Sequence, residues 1–150
     1  MTGKERMWYP KRRKIRECIL RVLYEMELNS DSDPVSRLLE EMEREELAQN
    51  WANFGVRYLE NLIPLRPELD EIISEFLIDW NFDRLSLVDR NILRMGAYEL
   101  IHEGTIPIEV TINEMVELSK VYGTEDSPRF VNAVLDRIAK KFAPPQKYTL

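Results

Sequence analysis

Residues 10–28 read PKRRKIRECILRVLYEMEL, and the apolar positions Ile15, Cys18, Ile19, Val22, Leu23 and Met26 recur at the spacing i, i+3, i+4, i+7. That recurrence predicts an amphipathic helix, and Pro10 suits its first turn, where a missing N–H costs nothing. Leu20 and Tyr24 fall on the opposite side, so this helix should touch two layers. Within it, Lys11-Arg12-Arg13-Lys14-Ile15-Arg16 places five cations in six positions at the N-terminal end. The helix dipole is already positive there and like charges repel, so the cluster opposes the helix. Its purpose is then not folding stability. Phosphate contact, with Trp8-Tyr9 beside it for stacking, is the functional reading; a solvated basic tail is the bland one.

The rest of the chain repeats the helical pattern. Asn29 to Asp33 is a polar loop, and Asp33-Pro34 is an N-cap with a first-turn proline ahead of Val35, Leu38, Leu39 and Met42. The mostly acidic run Glu40 to Glu46 reads as a solvated face. A third helix carries Leu47, Trp51, Phe54, Tyr58, Leu59 and Leu62, with Pro64 and Pro67 expected to end it. Leu69, Ile72, Ile73, Phe76 and Leu77 mark a fourth. Ser86 with Asp89 has the form of a capping box opening a fifth, which Gly104 stops. Pro107 to Gly123 holds a sixth, and Ser127-Pro128 caps a seventh through Phe142. Ala143-Pro144-Pro145 stops that helix, and the ends 1–9 and 144–150 should be loose. With short joints and no internal repeat, the expected fold is all-α: a single domain of about seven helices arranged as two fused bundles.

Composition narrows the class. A chain of 150 residues with 44% hydrophobic and 32% charged residues is long enough to bury an ordinary core. No apolar stretch approaches the roughly 18 residues of a membrane span, and no signal-peptide core follows Met1, so a cytoplasmic location is expected. The single cysteine, Cys18, agrees with a reducing compartment. The net charge of −6 hides a strong asymmetry. Residues 1–21 hold eight basic side chains against two acids, a balance of +6, while the other 129 residues hold 13 basic and 25 acidic ones, a balance of −12. A polyanion would be drawn to the basic end.

Chemistry is mostly missing. The five glycines form neither GxxxxGK[ST] nor GxGxxG, so no phosphate cradle is expected. His102 is the only histidine and has no partner at zinc-ligand spacing, so it reads as a helix-end residue and no metal or cofactor is expected. Asn113, Glu114 and Glu117 read as structural polar positions rather than acids of a catalytic pair. No catalytic residue emerges and the chain is not expected to be an enzyme. A second basic cluster comprises Arg137, Lys140 and Lys141 on one face of the last helix, with Lys120 and Arg129 flanking the Gly123 turn. Phe130 is either core or a stacking platform at a helix end.

Four segments, in order, resemble the NusB family: Arg12-Arg13-Lys14-Ile15-Arg16-Glu17-Cys18 followed by Leu23-Tyr24; LSLVDRNILRMGAYEL at 85–100; Ile106-Pro107 with INEMVELSK at 112–120 and Tyr122-Gly123; and SPRFVNAVLD at 127–136. Ala133 stands where that family usually has glycine, and Met1 to Pro10 are extra. The resemblance implies two helical bundles, transcription antitermination, and a heterodimer with the ribosomal protein NusE. That pair binds the single-stranded boxA element of ribosomal-RNA leader transcripts and joins the RNA polymerase elongation complex; a homodimer is implied as a form of the free protein. By position, the resemblance assigns RNA contact to Lys11, Arg12, Arg13, Lys14, Arg16, Lys120, Arg129 and Phe130, and NusE contact to Asp83 and Asp89. Two alternatives stay open. One is a helical adaptor that binds only protein. The other is a stand-alone relative of the N-terminal domain of ribosomal-RNA cytosine methyltransferases, which need an α/β domain that does not follow here.

Overall fold

A computed structural model describes residues 3–47, 49–78 and 80–150, the side chains of 3–10 and of Asn50 aside. Six α-helices and two short 3₁₀ turns account for the regular structure, and the described residues hold no strand. The helices are α1 (Gly3–Leu28), α2 (Pro34–Arg44), α3 (Gln49–Glu75), α4 (Leu87–His102), α5 (Ile108–Tyr122) and α6 (Ser127–Phe142). They fall into two compact units, Met1–Ile63 and Pro64–Leu150, whose division lies inside α3.

In the first unit, α1 buries Ile15, Cys18, Ile19, Val22 and Leu23, as its spacing predicts, and the opposite-side Leu20 is buried too. The helix begins at Gly3, seven residues before Pro10, so the proline stands inside the helix and not in its first turn. Asp33 caps α2 by accepting from the Val35 amide at 3.2 Å. Gly55 on α3 lets three helices meet: a Cβ there would lie 3.2 Å from Ile15 Cγ2 and from Met42 Sδ, and 3.3 Å from Leu38 Cδ2.

The acidic run is the expected solvated face only in part: Glu40, Glu43 and Glu46 are exposed, while Glu41 and Glu45 are drawn into ion pairs. Glu41 is only 4% exposed and faces Arg37 at 3.2 Å, Arg44 at 3.0 Å and Arg21 at 3.6 Å. Glu45 takes Arg21 at 3.2 Å and Lys14 at 3.9 Å. Arg37 also makes a two-pronged contact with Glu25 at 2.9 Å for each nitrogen, which holds the Glu25 carboxyl below the usual carboxylate range. These pairs join α1 to α2. Beyond α2, the amides of Glu46 and Leu47 donate to the carbonyls of Glu43 and Met42, a Schellman closure. Glu46 occupies its left-handed position at φ 57°, where glycine is usual.

The third and fourth helices of the sequence reading are one. α3 runs through both Pro64 and Pro67. A helix-interior proline costs about 3 kcal/mol. Against that stands a single apolar stripe, Leu59, Leu62, Leu69 and Ile73, each 0% exposed, which keeps helical period across both prolines. Burying each such side chain contributes about 1.5–3 kcal/mol, and the exposed ring positions leave the freed carbonyls on the solvent side.

In the second unit, α4, α5 and α6 pack against one another pairwise. α4 is the central element, with every residue from Asn91 to Leu100 buried. Gly96 permits close approach to α6, since a Cβ there would lie 2.6 Å from Leu135 Cδ1. Buried Arg94 forks onto Asp70 of α3 at 2.7 and 2.8 Å and takes Asn91 at 3.1 Å, so the ion pair is hydrogen-bonded on several sides. Ser86 caps α4 as expected, accepting from the Asp89 amide at 3.0 Å. The cap residue of α6 is Asp126, one before the expected Ser127, whose hydroxyl instead accepts from the Thr124 amide at 3.0 Å. His102 ends α4, exposed and stacked on Tyr98. The C-terminal residues, expected to be loose, form a 3₁₀ turn over Pro145–Thr149. Lys147 anchors it, buried and donating to the Glu99 carbonyl at 2.7 Å, while Tyr148 donates to the Ala139 carbonyl at 3.0 Å.

Candidate nucleic-acid interface

The cation-rich stretch 11–16 of α1 shows three kinds of placement. Arg13 and Lys14 are exposed, and Lys14 keeps 54% of its side chain in solvent while meeting Glu45. Lys11 and Arg12 are half-buried against α3, Lys11 Nζ 6.0 Å from the centre of the Trp51 ring and the Arg12 guanidinium 4.2 Å from that of Phe54. Arg16 is 1% exposed. One turn beyond Arg12 on the same helix face, it lies in the core, away from the more accessible cations Lys11 to Lys14 with which it was grouped. Trp8 and Tyr9, proposed as stacking partners, lie outside the described side chains.

The sequence reading assigned Trp51 to the apolar stripe and gave Arg57 no role. Arg57 is exposed, its guanidinium 5.8 Å from the Phe54 ring centre that Arg12 also covers. The signal was present as a helical spacing, since Trp51, Phe54 and Arg57 stand three residues apart. Which helix α3 would face was not legible.

In the second unit, a groove of about 490 Å³ is lined by Trp80, Arg84, Leu85, Ser86, Asp89, Thr124, Asp126, Ser127 and Phe130. It brings together two residues assigned to different partners, Phe130 to RNA and Asp89 to protein. Phe130 is half-buried with its surface on the groove, so it is neither simply core nor freely exposed. Trp80 stands 58% exposed at the same place. Asp89 Oδ1 is buried and accepts no hydrogen bond among the described residues, a costly state for a carboxylate oxygen. Asp83 is exposed in the 3₁₀ turn Phe82–Arg84, its backbone amide donating to the Asn81 side chain at 3.0 Å.

The second basic cluster divides. Lys120 is exposed and pairs with Glu117 at 2.9 Å, and Arg129 is exposed at the start of α6. Arg137 and Lys141 instead hold the end of α3, on the Phe76 carbonyl at 3.4 Å and the Glu75 carboxylate at 3.1 Å, and Lys140 pairs with Asp136 at 2.9 Å. Glu114 is buried, Asn113 exposed. Burial pushes the Cys18 thiol up to about 11, with Arg21 opposing the shift, so the thiol is un-ionised at neutral pH. No group of three or more His, Cys, Asp or Glu among the described residues could hold a metal, and no described helix is long and apolar enough to cross a membrane.

These features define a class: an all-helical protein with a cationic face on its first helix and an aromatic-walled acidic groove in its second unit. The chain belongs to the NusB family, whose model matches residues 13–140. It is 44% identical over 142 residues to the transcription antitermination protein NusB of Fervidobacterium nodosum, covering 93% of this chain and 98% of that one. The crystal form 2 structure of T. maritima NusB superposes with a TM-score of 0.86 at 42% identity, over 93% of this chain and 97% of that one. A structure of the antitermination factors NusB and NusE in complex with double-stranded RNA superposes with a TM-score of 0.78 at 28% identity, over 89% and 98%.

Proposed function

We propose that this chain is a non-catalytic transcription antitermination factor. It grips single-stranded boxA-type RNA of ribosomal leader transcripts through α1, pairs with the ribosomal protein NusE, and enters the RNA polymerase elongation complex. The observation that carries the reading is the run Lys11, Arg12, Arg13 and Lys14 in the first half of α1, half-buried to exposed, in a chain that is otherwise acidic. Cations there neutralise phosphates of a flexible strand, and aromatic groups accept unstacked bases. Lys120, Arg129 and Phe130 are the RNA contacts of the second unit. Asp83 and Asp89 offer carboxylates to NusE, a basic protein, and the acidic body suits such a partner. NusE brings a second RNA surface, so the heterodimer binds RNA more tightly than this chain alone. A homodimer of the free protein would cover the same RNA surface, and the cytoplasm is where these partners meet.

The likeness to the F. nodosum protein extends over 98% of that protein's length, which favours an antitermination factor over a module of a methyltransferase. The test is a titration of boxA-like single-stranded RNA with and without NusE. NusE should tighten binding, and Asp89→Lys should remove that tightening while the helical circular dichroism stays unchanged. Undiminished NusE affinity in Asp89→Lys would refute the partner assignment. RNA binding indifferent to NusE would refute the heterodimer.

A further inference from the structure

One side chain carries the 3₁₀ turn Pro145–Thr149 into the second unit, and it is a lysine. Lys147 is 2% exposed, while Tyr148 and Leu150 stand 59% and 55% in solvent. A turn held by apolar burial would seat the tyrosine or the leucine and leave the amine outside, because a buried ammonium loses its hydration unless acceptors wait for it. Here they wait. Lys147 Nζ donates to the Glu99 carbonyl at 2.7 Å, in the last turn of α4, where the helix dipole is negative. The buried carboxylates of Glu99 and Glu103 both act on its charge. Each is oriented by a buried hydroxyl: Thr111 donates to Glu99 Oε1 at 3.1 Å, and Tyr98 donates to Glu103 Oε1 at 2.6 Å. Burial lowers the Lys147 pKa below its ordinary value and the two carboxylates oppose the shift, so the site suits a primary amine with or without its extra proton.

We propose that this end of α4 is a binding site for a primary amine on an unbranched alkyl stem, filled in the closed form by the chain's own Lys147 and open to an outside amine when the turn lifts. Little holds the turn down. Lys147 is the one buried residue of 145–150, and the turn's other side-chain bond to a helix is from Tyr148 to the Ala139 carbonyl, in the last turn of α6. Ala143 and Pro144 join α6 to the turn in extended backbone. A segment with so little buried surface opens for a small part of the free energy of global unfolding. The short link from α6 favours Lys147, holding it at an effective concentration of about millimolar. An outside amine therefore competes only when it is plentiful or brings further contacts. A free alkylamine and the lysine side chain of another protein share this chemistry.

The experiment vacates the site and refills it. Lys147→Ala removes the part of the side chain that n-propylamine replaces, and Lys147→Met keeps an unbranched stem without N–H groups. Thermal melts of the whole chain are run with n-propylamine and, at equal ionic strength, with tetramethylammonium, which has the charge but no N–H. Lys147→Ala should melt about 4–8 °C below the wild type, and Lys147→Met should also melt below it, since both strand the buried carboxylates. n-Propylamine should restore most of the loss in Lys147→Ala and tetramethylammonium none of it, and neither should raise the melting temperature of the wild type or of Lys147→Met. N-acetyl-lysine methylamide separates the sources: rescue by it as well admits a protein's lysine, rescue by n-propylamine alone confines the site to free amines, and either supports the proposal. If Lys147→Ala does not fold, hydrogen exchange in the wild type decides. The Lys147 and Leu150 amides, bonded to the Pro144 and Lys147 carbonyls, should exchange faster in n-propylamine, which captures the lifted form, and not in tetramethylammonium. Exchange that n-propylamine leaves unchanged would then overturn the proposal. So would a Lys147→Ala or Lys147→Met chain as stable as the wild type, a folded Lys147→Ala that n-propylamine does not rescue, or equal rescue by tetramethylammonium.

Discussion

Glu45 sits where the structural and the functional cations of α1 meet. It holds Arg21 at 3.2 Å and reaches Lys14 at 3.9 Å, and Lys14 is the last of the four accessible cations in the RNA-binding run. Replacing it by glutamine keeps the size and removes the charge. Lys14 is 54% exposed, so the pair is worth little to folding: at 3.9 Å in water the Coulomb energy is about 1 kcal/mol before screening, and exposed pairs measure roughly 0.2–1 kcal/mol. For RNA the change acts the other way. A phosphate on Lys14 lies on the order of 8 Å from the Glu45 charge, a repulsion of about 0.5 kcal/mol that salt reduces further. Removing it and releasing Lys14 should tighten RNA binding about two- to fivefold near 0.1 M salt and steepen the salt slope by up to about 0.7. Fluorescence anisotropy with a labelled single strand measures the gain, and a thermal melt checks that the fold loses no more than about 1 kcal/mol. Unchanged or weaker RNA affinity in Glu45→Gln would refute the idea that α1 presents its cations to a phosphate chain.

Three further outcomes test the packing. Gly96→Ala should destabilise the protein by about 1–2 kcal/mol, because overpacking against the fully buried Leu135 side chain outweighs the roughly 1 kcal/mol gained in helix propensity; a urea melt with an unshifted midpoint would contradict it. Glu46→Gly should stabilise by about 0.5–1 kcal/mol by relieving the left-handed backbone, part of the gain being offset by the looser unfolded chain, and calorimetry reads the shift. Glu25 is held below its usual 4.5 by the hydrogen bonds from Arg37, so its stabilising effect is complete above pH 4.5 and lost as pH falls through the lowered value. The stability difference between the wild type and Glu25→Gln should therefore be constant near neutrality and close on acidification; a difference that widens toward acid would contradict the pairing.

Much of this molecule is legible in residue spacing, and the misreadings have physical causes. The stripes of α1, α4, α5 and α6 were plain because each buries a face at helical period. The break expected at Pro64 did not occur, because local backbone chemistry was weighed without the apolar stripe that runs past it. Spacing gave α1 its cations but not their surroundings. Arg16 and Arg12 share a helix face, yet one is buried and the other borders the surface, and that depends on which helix lies above each. Glu41 looked like solvated surface for the same reason; its burial exists only once α2 lies beside Arg21. Trp51 was read only as part of an apolar row because a ring in such a row carries no mark of being half-buried; Arg57 and Trp80 stand outside the stripes that spacing reveals.

The central claim is that an accessible run of cations on α1 binds the phosphates of a single strand, and the salt dependence of RNA affinity tests it most directly. With Lys11, Arg12, Arg13 and Lys14 each engaging a phosphate, log K should fall against log salt with a slope near −3, on the single-strand coefficient of about 0.7 per contact, and Arg12→Glu/Arg13→Glu should flatten it by about half. A wild-type slope near zero, or a double variant that binds as the wild type does, would contradict the account.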